Sequence, residues 1–162
     1  AHLLFQLHPN NIEIVTHPQS IIHSMVEFID GSIKAQLGTP NMTIPISFAL
    51  HYPNRGHNTN YNFNFKNSSH LTFEPPDFKK FKCITLAYKA LKRGGTCPAA
   101  LNIANDLVVD AFLHNQVSFV DIPILIEKAI DSHKFSSEIS IDIILELIDS
   151  LTLFIETEIG NV

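Results

Sequence analysis

His17 to Met42 read HPQSIIHSMVEFIDGSIKAQLGTPNM, and two β-rich runs flank an Asp-Gly pair within it. The runs are Met25-Val26-Glu27-Phe28-Ile29 and Ser32-Ile33-Lys34-Ala35-Gln36-Leu37, with Asp30-Gly31 between them. Asp-Gly between alternating runs predicts a β-hairpin, because both residues tolerate the φ > 0 that a type I′ turn requires. Two histidines and a proline (His17, Pro18, His23) precede the hairpin, and the turn Gly38-Thr39-Pro40-Asn41-Met42 follows it. A rigid hairpin with polar and soft apolar groups gathered at its ends can wall an active site.

Upstream, Ile12 to Thr16 alternates and is β-branched, which predicts a third strand and a sheet whose edge must be paired or covered. Residues 1–8 read as the end of a helix, stopped by His8-Pro9 and the turn formers Asn10-Asn11. The abrupt opening Ala1-His2-Leu3-Leu4-Phe5, without methionine or a basic leader, gives the expectation of a fragment. Downstream, Pro45 to Leu50 reads as one or two helical turns ending at His51-Tyr52-Pro53. Asn54 to Ser69 is rich in Asn, His, Ser and aromatic residues and reads as an exposed connector without chemistry.

The remainder is helical. A helix is predicted from Pro76 or Asp77 to Lys92, stopped by Gly94-Gly95. A second runs from Ala99 to about Asn115, with Pro98 at its start. Ser118-x-x-Asp121 resembles a capping box and opens a third, through Ile130. Ser140 caps a fourth, to about Glu158, with apolar residues near helical spacing. Four helices with short joints indicate an antiparallel bundle. The expected class is α+β: residues 1–53 carry the hairpin sheet, 54–75 are a connector, and 76–162 form the helical bundle.

Charged residues make up 17% of the 162, against roughly 25% in ordinary soluble domains. Together with a mean hydropathy of +0.12, that fits either apolar surface that needs cover from more chain or another subunit, or a large core under an Asn-rich surface. A net charge of −5 argues against nucleic acid. The local basic run of Lys79, Lys80, Lys82, Lys89, Lys92 and Arg93 is flanked by Glu74 and Asp77 and reads as a solvated helix face. Cys83 and Cys97 lack CxxC spacing, which suits free, inert thiols in a reducing compartment. No run reaches the ~20 apolar residues of a membrane span.

His17 is the leading candidate for chemistry. It sits at a strand end before a proline, and an imidazole can hydrogen-bond a phosphate or hydroxyl. The competing reading, a structural histidine bonded to backbone, is favoured by the residues alone. His23 reads as bonded to turn backbone. His8, His17 and His23 lack metal-ligand spacing, and Glu13 and Glu27 show no convergence with them, so no metal site is expected. Met42 can pack its soft thioether on a flat aromatic surface, or simply fill core. Asn102, Asn105 and Asp106 read as hydrogen-bonding neighbouring helix ends. The chain has no GxGxxG after a strand, no P-loop and no Asp-x-Glu pair.

The ordered set HPQS, HSMV, DGS, AQLG, Pro40-x-Met42 and Thr43-Ile44-Pro45-Ile46 resembles the 1-deoxy-D-xylulose 5-phosphate reductoisomerase family. The resemblance continues through LTFEPPDF (Leu71 to Phe78), ALNIANDLVVDAFL (Ala100 to Leu113) and FVDI (Phe119 to Ile122). It covers only the latter part of such an enzyme, and Asp106 stands where relatives typically carry Glu. The resemblance implies an NADPH-dependent enzyme using Mg²⁺ or Mn²⁺, cytoplasmic or plastid, with a homodimer formed through the sheet. It implies that His17 lies beside the substrate pocket in a supporting role and that Pro40 and Met42 pack near the nicotinamide. The cofactor fingerprint, metal carboxylates and phosphate-binding set would lie upstream, so this chain alone would be inactive and bind no cofactor. Two other functions stay open on the residues alone: a non-enzymatic dimerisation module, and a small histidine-rich metal protein.

Overall fold

The computed structural model describes residues 1–57, 63–67 and 70–161. In chain order the elements are α1 (His2–Phe5), β1 (Ile22–Glu27), β2 (Ile33–Leu37), α2 (Thr43–His51), α3 (Lys82–Arg93), α4 (Cys97–Leu113), α5 (Asp121–Ser132) and α6 (Ile141–Ile159), with 3-10 turns at Pro9–Asn11 and Phe65–Asn67. The class is α+β. The chain forms two compact units, Ile14–Pro76 and a helical unit of Ala1–Glu13 with Asp77–Val162.

In the first unit β1 and β2 pair antiparallel, with Met25 opposite Ala35 and Glu27 opposite Ile33. The hairpin is present, but its turn is not type I′. Gly31 N donates to Phe28 O and Phe28 N to Ser32 O, and of the loop residues only Gly31 has positive φ, at 80°. This is a three-residue loop, in which an ordinary turn is followed by a left-handed glycine. Asp30 keeps negative φ because its carboxylate accepts from the N–H and hydroxyl of Ser32. Those bonds, the hydroxyl's first, hold the Asp30 carboxyl below the usual carboxylate value.

The third strand is absent. Of Ile12 to Thr16 only Thr16 pairs, in an isolated bridge to Glu74, so the sheet has two strands. The backbone of Ile12 is already committed: its N–H donates to Pro9 O and its carbonyl accepts from the Tyr88 hydroxyl at 2.7 Å. Pro18 and the positive φ of Ser20 then prevent an extended run into β1. The short helix expected at Pro45 to Leu50 is α2, where Pro45 falls in the first turn and costs no intrahelical bond. The connector Asn54–Ser69 lies partly outside the described residues. Among the described residues of this unit, Ile21 alone is buried, while Met25, Val26, Phe28 and Ile33 of the hairpin are exposed.

In the helical unit α4 packs against α3, α5 and α6. Its buried face is Ala100, Ala104, Val108 and Ala111, small enough to admit Leu125, Ile126 and Ile130 of α5 and Leu151 and Ile155 of α6. The first helix begins later than predicted, at Lys82. The Asp77 side chain accepts from the N–H groups of Lys79 and Lys80 and so caps a separate turn ahead of it. Ser140 caps α6 as expected, accepting from Ile143 N at 3.2 Å. The two buried polar side chains at the joint after α3, Thr96 and His133, are both hydrogen-bonded. His133 Nδ1 donates to Ile130 O at 2.7 Å, so Nε2 accepts from the Thr96 hydroxyl, whose oxygen also accepts from Ser136 N.

Half of the predicted capping box forms at α5. Asp121 accepts from the backbone N–H and hydroxyl of Ser118, while Asp121 N donates to the Ser118 carbonyl rather than to its hydroxyl. Hydrogen bonding, the Ser118 hydroxyl first, lowers the Asp121 pKa from its ordinary 3.8. A carboxyl lowered in the folded state adds stability above its unfolded value, and that stability is lost as pH falls through the folded value. Ser118→Ala therefore moves the Asp121 titration up toward 3.8 and shifts acid unfolding to higher pH. NMR titration of the Asp121 carboxyl checks this; an unmoved midpoint would refute it.

Candidate functional site

A cavity of about 530 Å³ lies between the base of the hairpin and α2. Leu37 ends β2, and Gly38 N donates to Ile21 O at 3.0 Å, which turns the chain across the strand ends. The turn Thr39 to Met42 forms one wall. Asn41 Oδ1 accepts from Thr43 N at 2.8 Å and so fixes where that wall joins α2. Ile44, Pro45 and Phe48 of α2 line the other side. The Arg55 guanidinium lies over the Phe48 ring at 4.5 Å and brings a cation to the rim.

Pro40 and Met42 share this cavity. Met42 is 70% exposed, so it is not the core residue that its composition alone suggests. An exposed thioether at the mouth of an apolar hollow offers a soft surface to a flat ring. His23 lines the same cavity. It is the extra residue where pairing shifts between Ile22 and Ser24, and such a bulge re-aims a side chain. Its Nε2 donates to the Ser20 carbonyl at 3.1 Å, the turn-backbone bond expected of it.

His17 is not among the residues lining the cavity. Its Nδ1 donates to Thr72 O at 2.8 Å and its ring stacks on Phe73 at 4.7 Å. Nε2 is shut off from solvent and has no hydrogen-bond partner among the described residues. His8 accepts from Asn10 N, so the three histidines weighed as a metal set each bond local or nearby backbone. Among the described residues no three His, Cys, Asp or Glu come together as a metal site. Among the described residues Asn102 and Asp106 bond no neighbouring helix end; Asn102 Nδ2 donates to Asp106 Oδ2 along α4 at 3.5 Å, because they are one turn apart. Burial pushes the Cys97 and Cys83 thiols up, away from the reactive thiolate.

Phe48 and Arg55 escaped the sequence reading. Arg55 stands in a stretch whose Asn-rich composition suggests connector only, and its place is set by the aromatic ring one element earlier. The available signal was Phe48 and Tyr52 at helical spacing just before Pro53-Asn54-Arg55. A bulge at His23 leaves no mark in a period-2 pattern.

Comparison with known proteins is consistent along the whole chain. The 1-deoxy-D-xylulose 5-phosphate reductoisomerase of Acetivibrio thermocellus is 48% identical over 147 residues, 91% of this chain and 39% of that protein. The enzyme of the same name from Chloroherpeton thalassium is also 48% identical, over 91% of this chain and 38% of its own. The chain thus spans about two fifths of the length of the curated relatives it matches. Among solved structures, the reductoisomerase from Zymomonas mobilis in complex with NADPH superposes with a TM-score of 0.91 at 36% identity, covering 100% of this chain and 43% of that one. A DOX-P reductoisomerase in complex with NADPH, fosmidomycin and magnesium gives 0.90 at 34% identity, over 99% of this chain and 41% of that one. The family model for the DXP reductoisomerase C-terminal domain matches residues 37–151, and the chain belongs to that family.

Proposed function

We propose that this chain is the C-terminal part of an NADPH-dependent reductoisomerase that converts 1-deoxy-D-xylulose 5-phosphate to 2-C-methyl-D-erythritol 4-phosphate for isoprenoid precursor synthesis. The observation that carries this is the cavity in which Pro40, Met42 and His23 meet over an apolar wall. The residues present fit the nicotinamide end of NADPH: the hollow admits a flat ring, and the Met42 thioether can lie against it. We assign the donors for its phosphates and for Mg²⁺ or Mn²⁺ to the upstream part; among the described residues no three His, Cys, Asp or Glu come together to hold the metal. When bound, NADPH supplies hydride and the metal polarises substrate oxygens. This chain's residues orient the ring and keep water from it, and His17 supports the substrate side.

The proposed domain order is 1–53 for the end of the catalytic domain, 54–75 for a connector and 76–162 for the C-terminal helical domain, with Ala1–Glu13 clustering in the helical unit. The exposed apolar hairpin, in a unit with one buried residue among those described, favours cover by a second copy or by the upstream part. A homodimer in the bacterial cytoplasm or a plastid fits this reading. Among the described residues no helix is long and apolar enough to cross a membrane. The same hairpin is what a non-enzymatic dimerisation module would show, with concentration-dependent dimers and no nucleotide binding.

Substrate-dependent NADPH oxidation separates the two. The protein extended by its upstream part oxidises NADPH, and the 162 residues alone do not. In the active protein Met42→Ala raises KM for NADPH roughly 2- to 10-fold, the worth of one sulfur–aromatic contact. Oxidation by the short chain alone, or an indifferent Met42, would sink the proposal.

A further inference from the structure

We infer that His17 and Gln19 are positioning residues: they clamp Thr72, and through the turn at Ser20 they fix His23 in the cavity wall. The inference rests on the reductoisomerase reading and assigns the HPQS segment a task within it.

The geometry has two halves. On one side, four bonds hold Thr72, among them one from its hydroxyl to Gln19 Oε1 at 3.2 Å. His17 Nδ1 donates to its carbonyl at 2.8 Å, Gln19 Nε2 donates to its hydroxyl at 2.8 Å, and Thr72 N donates back to Gln19 Oε1 at 3.2 Å. Reciprocal bonds between Thr16 and Glu74, at 2.8 and 3.0 Å, and the His17–Phe73 stack align the same segment. On the other side, Pro18 restricts the turn and Ser20 N donates to His17 O at 3.0 Å, placing Ser20 at φ 50°. That turn aims the Ser20 carbonyl at His23 Nε2, and His23 lines the cavity with Pro40 and Met42.

One nitrogen and one face of the His17 ring are committed in this arrangement. A carbonyl acceptor at Nδ1 places a proton on that nitrogen. Nε2 is closed from solvent and one ring face is covered by Phe73. Among the described residues the ring therefore presents no accessible unpaired nitrogen to a substrate. Its effect passes through Thr72 and the turn.

Two isosteric variants of the full-length protein decide between the nitrogens. Asparagine places its amide nitrogen where Nδ1 stands, and glutamine places its own where Nε2 stands. His17→Asn should keep kcat/KM for NADPH within about 2-fold of wild type, with an unchanged pH profile. His17→Gln should lower it roughly 10-fold. Hydrogen exchange gives a readout that needs no reaction: Gln19→Ala should expose the Thr72 and Glu74 amides, while His17→Asn leaves them protected. The inference is overturned if glutamine rescues better than asparagine, if His17→Asn removes a limb of the pH profile, or if Gln19→Ala leaves both amides protected. A wild-type protein without reductoisomerase activity would overturn the functional reading, while the clamp would still stand or fall on exchange.

Discussion

Replacing Gly95 by alanine lowers the stability of the helical unit by about 2–5 kcal/mol, the sum of a left-handed backbone penalty and an overpacking penalty. Gly95 sits at φ 52° between α3 and α4. A Cβ there would stand 2.2 Å from the Ser136 carbonyl oxygen and 2.9 Å from the Phe135 ring. The ring can turn, but the carbonyl cannot easily move, since it accepts from Thr96 N at 2.9 Å and the Ser136 N–H is bonded to the Thr96 hydroxyl. Gly95→Asn separates the two causes. Asparagine tolerates the left-handed region yet carries the same Cβ. Urea unfolding should therefore find Gly95→Asn nearly as damaging as Gly95→Ala. Recovery to near wild type would show that backbone strain alone was at work.

Gly95 also marks how far the sequence could be read. Gly94-Gly95 as a helix stop was legible, because glycine is the residue that ends helices without a Cβ penalty. The contact that makes Gly95 irreplaceable was not, because Ser136 is brought there by the packing of α5 and its exit. The same division holds elsewhere. Ser140 as a cap and Pro98 at a helix start were local signals, and both stand in the structure. Ile12 to Thr16 had the alternation of a strand, but the Ile12 backbone is held by Pro9 and the Tyr88 hydroxyl and only Thr16 pairs. Asp30-Gly31 announced a hairpin, yet only Gly31 of the pair takes the left-handed conformation, with the Asp30 carboxylate bonded to the N–H and hydroxyl of Ser32. For the candidate site, Pro40 and Met42 lay close in sequence and could be grouped. His23 joined them through a bulge, and Phe48 and Arg55 through a helix and a cation–ring contact. Local chemistry was visible, whereas convergence across elements was not.

Leu125→Ala and Val26→Ala give opposite results in the 162-residue chain, and the second changes in the longer protein. Leu125 is 1% exposed beneath α4, so its truncation removes packed methylenes and leaves a cavity that helices on several sides prevent from closing. The expected loss is about 2–5 kcal/mol. Val26 is 58% exposed on β1, opposite Lys34, and its truncation should stay within about 0.5 kcal/mol in the short chain. If the hairpin is covered by a second copy or by the upstream part, each buried methylene is worth about 0.8 kcal/mol, and Val26→Ala then costs about 1.5 kcal/mol. Urea unfolding by circular dichroism, run on both chain lengths and at several concentrations, reads all of this. A cost for Val26→Ala that appears only at high protein concentration assigns the cover to a second copy. One that appears at every concentration in the longer protein assigns it to the upstream chain. If Val26→Ala is silent under all conditions, the hairpin is a bare surface, and the dimer proposed through it does not form there.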